Sequence, residues 1–237
     1  MLSTEFGDND SSAVTLAGNA RLCFNMPVSI PKAPETFMTL SISSNFYAYL
    51  SRLRWIKRWG LKRNAHEENV MEHSWEVAVI AHTLALIKNR YFDGQVDANA
   101  VATAALYHDI TEVITGDMPT PIKYHSPAIL GAYKQIEQQA EQELLNLLPD
   151  ALQPDFRALI DHQQMSEAHQ KIIKAADKIS AYLKCQAELK AGNAEFEMAA
   201  EQIELDIEAL DQPEVRFFML SFAPNCGLTL DDLIKKR

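Results

Sequence analysis

The chain has 237 residues, enough for one domain with additions rather than two full domains. Apolar residues make up 47% of it, and only 8 glycines and 10 prolines are present, which favours an all-α protein with an ample core. A net charge of −10 argues against a sequence-independent nucleic-acid coat or an anionic membrane surface, and no apolar stretch is long enough to span a bilayer.

Residues 1–40 are expected to form a flexible extension, rich in Ser, Asn and Gly and punctuated by Pro27, Pro31 and Pro34. The acidic N-terminus does not read as a signal peptide. Residues 41–237 carry the helical periodicity. A first helix is predicted over 44–58, with Ser44 as cap and Phe46, Leu50, Leu53 and Ile56 on one face. A second is predicted over 69–90. Asn69 and Glu72 form a capping-box pattern there, and Val70, His73, Val77, Ile80, Ala81, Leu84 and Ile87 make an inward stripe. A third runs from Asp97 to Ile114 and is stopped by Gly116, Pro119 and Pro121. Prolines at that density predict a stiff loop over 115–124.

A fourth helix begins at Ser126–Pro127, and a shorter one covers 154–163. A long helix follows Ser166 and ends near Gly192, with Asp177 beside its apolar stripe. An acidic amphipathic helix covers 194–210, and short segments at 214–222 and 228–235 complete the chain. Cys23, Cys185 and Cys226 form no CxxC pair and are odd in number, so a reducing cytoplasm is the expected setting.

Three predicted helices place metal-capable groups on or beside an apolar face. These groups are His73, then His108–Asp109, then Asp177. Burying such groups together is costly unless a cation compensates them, and imidazole with carboxylate suits first-row divalent metals. Each residue alone reads as ordinary core or surface chemistry, but the order H…HD…D is specific.

That order resembles the HD-domain metal-dependent phosphohydrolases. The segments RLRWIKRW (52–59), ENVMEHSWEVAVIAH (68–82), ALYHDITEVITGDMPTPIKY (105–124) and KAADKISAYLKCQAELKAGN (174–193) resemble the bacterial 5′-deoxynucleotidase family over residues 41–237. The resemblance implies an all-α HD-domain helical bundle that hydrolyses deoxyribonucleoside 5′-monophosphates. It implies one divalent metal ion (Co, Mn, Zn or similar) on His73, His108, Asp109 and Asp177. Glu112 and Asp117 would be catalytic carboxylates. Arg58 would orient phosphate, and Trp59, Met118, Pro119 and Thr120 would contact substrate together with His73, Asp109, Asp117 and Asp177. Glu112 falls one helical turn beyond His108, consistent with an acid/base role. The sequence departs from the family pattern at Gly60, where proline is expected after the tryptophan, and a looser loop would follow.

The resemblance further implies a homodimer, with residues 194–210 and Phe217, Phe218, Met219, Leu220 and Phe222 as the candidate surface or as core. The alternatives are another HD-domain hydrolase acting on nucleoside triphosphates or cyclic nucleotides, and a catalytically silent metal- and nucleotide-binding protein.

Overall fold

A 22-residue helix, α2 (Val70–Tyr91), is the element against which the helices over residues 98–105, 167–190 and 213–221 pack. The computed structural model describes residues 43–161 and 164–235, and the expected extension over 1–40 lies outside them. Among the described residues the chain is helical, with no strand and a single isolated antiparallel bridge, Lys57 to Asn69.

The elements follow in order: α1 (Phe46–Leu50), a 3-10 turn (Ser51–Trp55), α2, α3 (Ala98–Ala105), α4 (Glu112–Thr115), α5 (Thr120–Lys123), α6 (Pro127–Asn146) and α7 (Gln153–Ile160). After these come α8 (Glu167–Lys190), a 3-10 turn (Ala194–Phe196), α9 (Glu197–Glu208), α10 (Pro213–Ser221), α11 (Ala223–Cys226) and α12 (Leu230–Lys235).

The start of α2 is fixed by its capping box: Asn69 Oδ1 accepts from Glu72 N, and the Glu72 carboxylate accepts from Asn69 N. Such a cap contributes about 1 kcal/mol. All seven stripe residues of α2 are buried, and Val70, His73, Val77, Ala81 and Leu84 are wholly so. They meet Val101 and Ala105 of α3, Ile172, Ala176 and Ile179 of α8, and Val215 and Phe218 of α10. Burying a side chain such as Leu84 contributes about 2 kcal/mol. Ser126 and Ser166 cap α6 and α8 through their hydroxyls, as their sequence positions suggest. Gly192 stands at φ 82° just past α8, a left-handed position that favours glycine.

Four boundaries differ from the sequence reading. The first helix does not reach Arg58. It tightens into the 3-10 turn, and Ile56 is extended (φ −84°, ψ 109°), which puts Arg58 and Trp59 on a loop. The third helix is not continuous to Ile114. Residues 106–111 are turns, held by short-range bonds such as Tyr107 N to Ala104 O (3.0 Å) and Ile110 N to Tyr107 O (3.1 Å). The loop over 115–124 contains one helical turn, α5, led in by Pro119. In 194–210 the first residues form a 3-10 turn before α9.

Of the apolar run near the C-terminus, Phe218 belongs to the core with Phe217 and Met219 against it. Leu220 (75%) and Phe222 (45%) are exposed.

Candidate functional site

The site gathers at the N-terminal end of α2, where α8 and the turn between α3 and α4 meet it. His73 stands one turn inside α2 and is fully buried. His108 and Asp109 lie in the turn that interrupts the third helix, so that break presents both side chains to His73. Asp177 projects from the middle of α8.

The ligand-type atoms of His73, His108 and Asp109 all lie within 4.8 Å of one another. His73 Nε2 is 3.0 Å from Asp177 Oδ1 and 3.6 Å from Asp109 Oδ2. His108 Nε2 is 3.1 Å from Asp109 Oδ2. That nitrogen is buried without a hydrogen-bond partner. Its Nδ1 faces the Ala105 carbonyl at 2.8 Å. A carbonyl only accepts, so Nδ1 carries the hydrogen and Nε2 of the neutral ring keeps a lone pair. Two imidazole rings and carboxylate oxygens thus face one point, a donor set that fits a divalent first-row cation.

The electrostatics point the same way. Burial works against a charged His108, but Asp109 and Asp177 outweigh it and push the imidazole up to about 9. Burial also works against Asp109 ionising, yet His108, His73 and Arg58 hold its carboxyl well below the usual range. The cluster strongly favours positive charge at its centre.

Glu112 begins α4, and one of its carboxyl oxygens is buried without a hydrogen bond. Burial, reinforced by Asp109 and Asp117 and only partly offset by Arg58 and Lys123, pushes it up to about 10. Asp117 is raised as well, by burial and by Asp109, with Arg58 acting against the shift. Both carboxyl groups beside the cluster are shifted upward, but unequally: the large shift holds Glu112 protonated at neutral pH, and the shift of Asp117 is smaller.

Arg58 lies on the loop between the 3-10 turn and α2. Its Nη1 donates to Asp109 Oδ2 and its Nε to Glu68 Oε2, both at 3.3 Å. Trp59 adopts φ 60°, uncommon for a residue with a Cβ, and its backbone N–H donates to Asp117 Oδ2 at 3.2 Å. The indole N–H donates to Glu68 Oε2 at 2.8 Å, and the ring packs on Phe196 with centroids 5.2 Å apart. Much of the indole is therefore spent on packing, while its main chain ties the 57–68 loop to the 116–119 loop.

The Gly60 departure does not leave this loop slack. Arg58 N bonds Glu68 O (3.0 Å), Lys62 N bonds Trp59 O (2.8 Å), and Glu188 accepts from Ala65 N (2.7 Å) and His66 N (2.9 Å). Met118 and Pro119 are half-buried beside Asp117, and Thr120 is exposed at the start of α5.

Sequence reasoning missed Glu68, Glu76, Ser180 and Glu188. Glu68 joins Arg58 to Trp59, and Ser180 joins His73 to Glu76. Spacing signals two of them, since Glu76 and Ser180 each fall three residues after a candidate ligand on the same helix.

The model of the 5′-deoxynucleotidase YfbR-like family matches residues 45–226. A 5′-deoxynucleotidase of Yersinia pestis (strain Pestoides F) is 50% identical over 190 residues, covering 80% of this chain and 96% of its own. A solved HD-domain phosphohydrolase from Listeria innocua has a TM-score of 0.65 at 25% identity, over 77% of this chain and 88% of that one. The cyanophage S-2L HD phosphohydrolase, bound to dA and one catalytic Zn2+ ion, has a TM-score of 0.53 at 21% identity, over 84% of this chain and all (100%) of its own. At that identity the likeness bears on fold alone.

Proposed function

The chain belongs to the 5′-deoxynucleotidase YfbR-like family and is an HD-domain 5′-deoxynucleotidase, and from that premise we propose how its residues divide the work. His73 and His108, each through Nε2, and the carboxylates of Asp109 and Asp177 hold one divalent cation, with Co, Mn or Zn suited to the donor set. A cation bound there polarises the phosphate and lowers the pKa of an attacking water. The single observation that carries this reading is the convergence of His73, His108 and Asp109 within 4.8 Å around a buried, unbonded imidazole nitrogen.

Arg58 turns its guanidinium from Glu68 and Asp109 to the phosphate oxygens of the substrate, for which its planar fork is suited. Asp117 uses one oxygen to accept the Trp59 N–H and keeps the other to take a proton from the attacking water. Glu112 is held protonated by its surroundings and gives its proton to the leaving 5′-oxygen. Unequal environments for two nearby carboxyl groups are what an acid–base pair requires. His73, Asp109, Asp117 and Asp177 border the phosphate. Trp59, Met118, Pro119 and Thr120 wall the sugar, and a tight wall there rejects a 2′-hydroxyl.

Residues 41–237 constitute the catalytic unit. It acts in the cytoplasm as a homodimer, for which exposed Leu220 and Phe222 offer apolar surface. No helix among the described residues is long and apolar enough to cross a membrane.

The test is phosphate release from paired deoxyribo- and ribonucleoside 5′-monophosphates by metal-stripped protein supplied with Mn, Co, Zn or Mg, beside Glu112→Ala and Asp177→Asn. Release from the deoxy substrates alone, lost in both variants, is expected. Equal turnover of both sugars would overturn the sugar wall. Undiminished release by Asp177→Asn or Glu112→Ala would overturn the role given to that residue.

A further inference from the structure

His73 offers the site one nitrogen and turns the other into the seam between α2 and α8. There Nδ1 lies 3.1 Å from Ser180 Oγ, and Ser180 Oγ donates to Glu76 Oε2 at 2.6 Å. The seam interlocks by spacing. His73 and Glu76 are one turn apart on α2, Asp177 and Ser180 are one turn apart on α8, and each pair shares a helix face. In space the order is Asp177, His73, Ser180, Glu76. His73 and Ser180 are both fully buried, so no bulk water competes for these bonds.

This row has a direction. A carboxylate only accepts, so the single hydroxyl proton of Ser180 goes to Glu76. Only lone pairs of Ser180 Oγ remain for the imidazole, so Nδ1 must carry the hydrogen. A neutral imidazole has one N–H, so with Nδ1–H kept on Ser180 a cation set between the ring and the Asp177 and Asp109 oxygens meets the Nε2 lone pair and takes the place of the 3.0 Å hydrogen bond between Nε2 and Asp177 Oδ1.

His108 obtains the same result from a backbone carbonyl, because the chain leaves the helix around it. His73 stands inside an unbroken helix whose carbonyls are used by the helix itself. It must borrow an acceptor from another element, and Ser180 is that acceptor.

We propose that Ser180 and Glu76 are positioning residues that set the tautomer of His73 and thereby its capacity to bind a divalent cation through Nε2. The inference rests on the reading of His73 as a ligand. It assigns a role to two residues that touch neither substrate nor metal. Outer partners of ligating histidines typically alter metal affinity about 10- to 100-fold when removed.

The experiment is a cobalt(II) titration of metal-stripped wild type, Ser180→Ala, Glu76→Gln and His73→Ala. It is read by the visible absorption of the bound ion and by competition with a chelator, with thermal melting of each stripped protein as the fold control. Ser180→Ala is expected to bind cobalt about 10- to 100-fold more weakly with an altered spectrum, while its metal-free melting stays near wild type. Glu76→Gln is expected to weaken binding in the same direction, because a side-chain amide can donate to Ser180 Oγ and release the hydroxyl proton towards His73. Should Ser180→Ala fail to fold, Glu76→Gln, at a half-buried position, decides the matter alone. Wild-type affinity and spectrum in the folded variants, with binding lost in His73→Ala, would overturn the inference and leave the ligand assignment standing. Wild-type affinity in His73→Ala would overturn the ligand assignment itself.

Discussion

Arg58 Nη1 donates to Asp109 Oδ2 at 3.3 Å, which couples the one buried guanidinium of the 57–68 loop to a candidate metal ligand in the turn after α3. The same side chain is steadied from behind by Glu68, and only 12% of it is exposed. Burial alone would disfavour its charge, but Asp109, Asp177, Glu68 and Glu112 together raise its pKa, so it stays a cation. Arg58→Ala is expected to lower kcat/KM by roughly 10²- to 10³-fold, the cost of removing an aimed donor. Arg58→Lys should recover little of this, because an ammonium cannot make the two-pronged contact. Steady-state kinetics on a deoxynucleoside 5′-monophosphate checks both.

Glu112 should be separable from binding. Glu112→Gln keeps size and polarity but removes the transferable proton, so kcat should fall roughly 10²- to 10⁴-fold. Metal content and substrate affinity, the latter measured by equilibrium binding on the inactive variant, should stay near wild type. A fall in KM-type binding with kcat intact would place Glu112 among the contacts rather than the chemistry.

Glu188 provides the pH test. It is fully buried and accepts from Lys184, from Asn193 Nδ2 (2.8 Å), and from Ala65 N and His66 N, so it holds the loop that carries Arg58 and Glu68. Burial pushes its pKa upward, but these bonds outweigh it and hold the carboxyl down to about 2 against an ordinary 4.5. A folded-state value below the unfolded one means that the stabilisation is fully present above 4.5 and is lost as pH falls through about 2. Glu188→Gln should therefore cost about 3 kcal/mol at neutral pH. The gap in melting temperature from wild type should narrow as pH drops below 4.5. Thermal unfolding over a pH series reads this directly, and a constant gap would contradict it.

Phe196 links the core to the site through Trp59. It is fully buried under the indole, with Lys62 Nζ and Lys184 Nζ over its ring at 5.2 and 5.6 Å. Phe196→Ala should cost about 3–5 kcal/mol by cavity formation. It should also release the Trp59 ring, raising KM for the deoxynucleotide more than it lowers kcat.

What was legible in the sequence divides along physical lines. The stripes of α2 and α8, the capping box at Asn69 and the serine caps of α6 and α8 are local patterns, and they stand in the structure where the periodicity puts them. The order His73, His108–Asp109, Asp177 could be read as a spaced pattern, and the structure brings the first three within 4.8 Å, His108 and Asp109 from a turn rather than from the predicted helix face. The break over 106–111 could not, since no glycine or proline marks it and Ala-rich sequence favours helix. It is the approach of His108 and Asp109 to His73 that the turn serves. The φ of 60° at Trp59 was equally hidden, because the partner of its backbone N–H is Asp117, far along the chain. Ser180 and Glu188 read as ordinary polar positions on a long helix, and only the packing of α8 against α2 and the 57–68 loop gives them partners.

The central claim is that catalysis depends on one cation held by His73, His108, Asp109 and Asp177. The most direct measurement is metal content and deoxynucleotide hydrolysis on the same samples: stripped protein, protein reconstituted stepwise with cobalt(II), and an Asp109→Asn variant. Activity should rise in proportion to bound metal and saturate at one ion per chain, with Asp109→Asn retaining neither metal nor turnover. Full turnover by the stripped protein, or by Asp109→Asn without metal, would contradict the account.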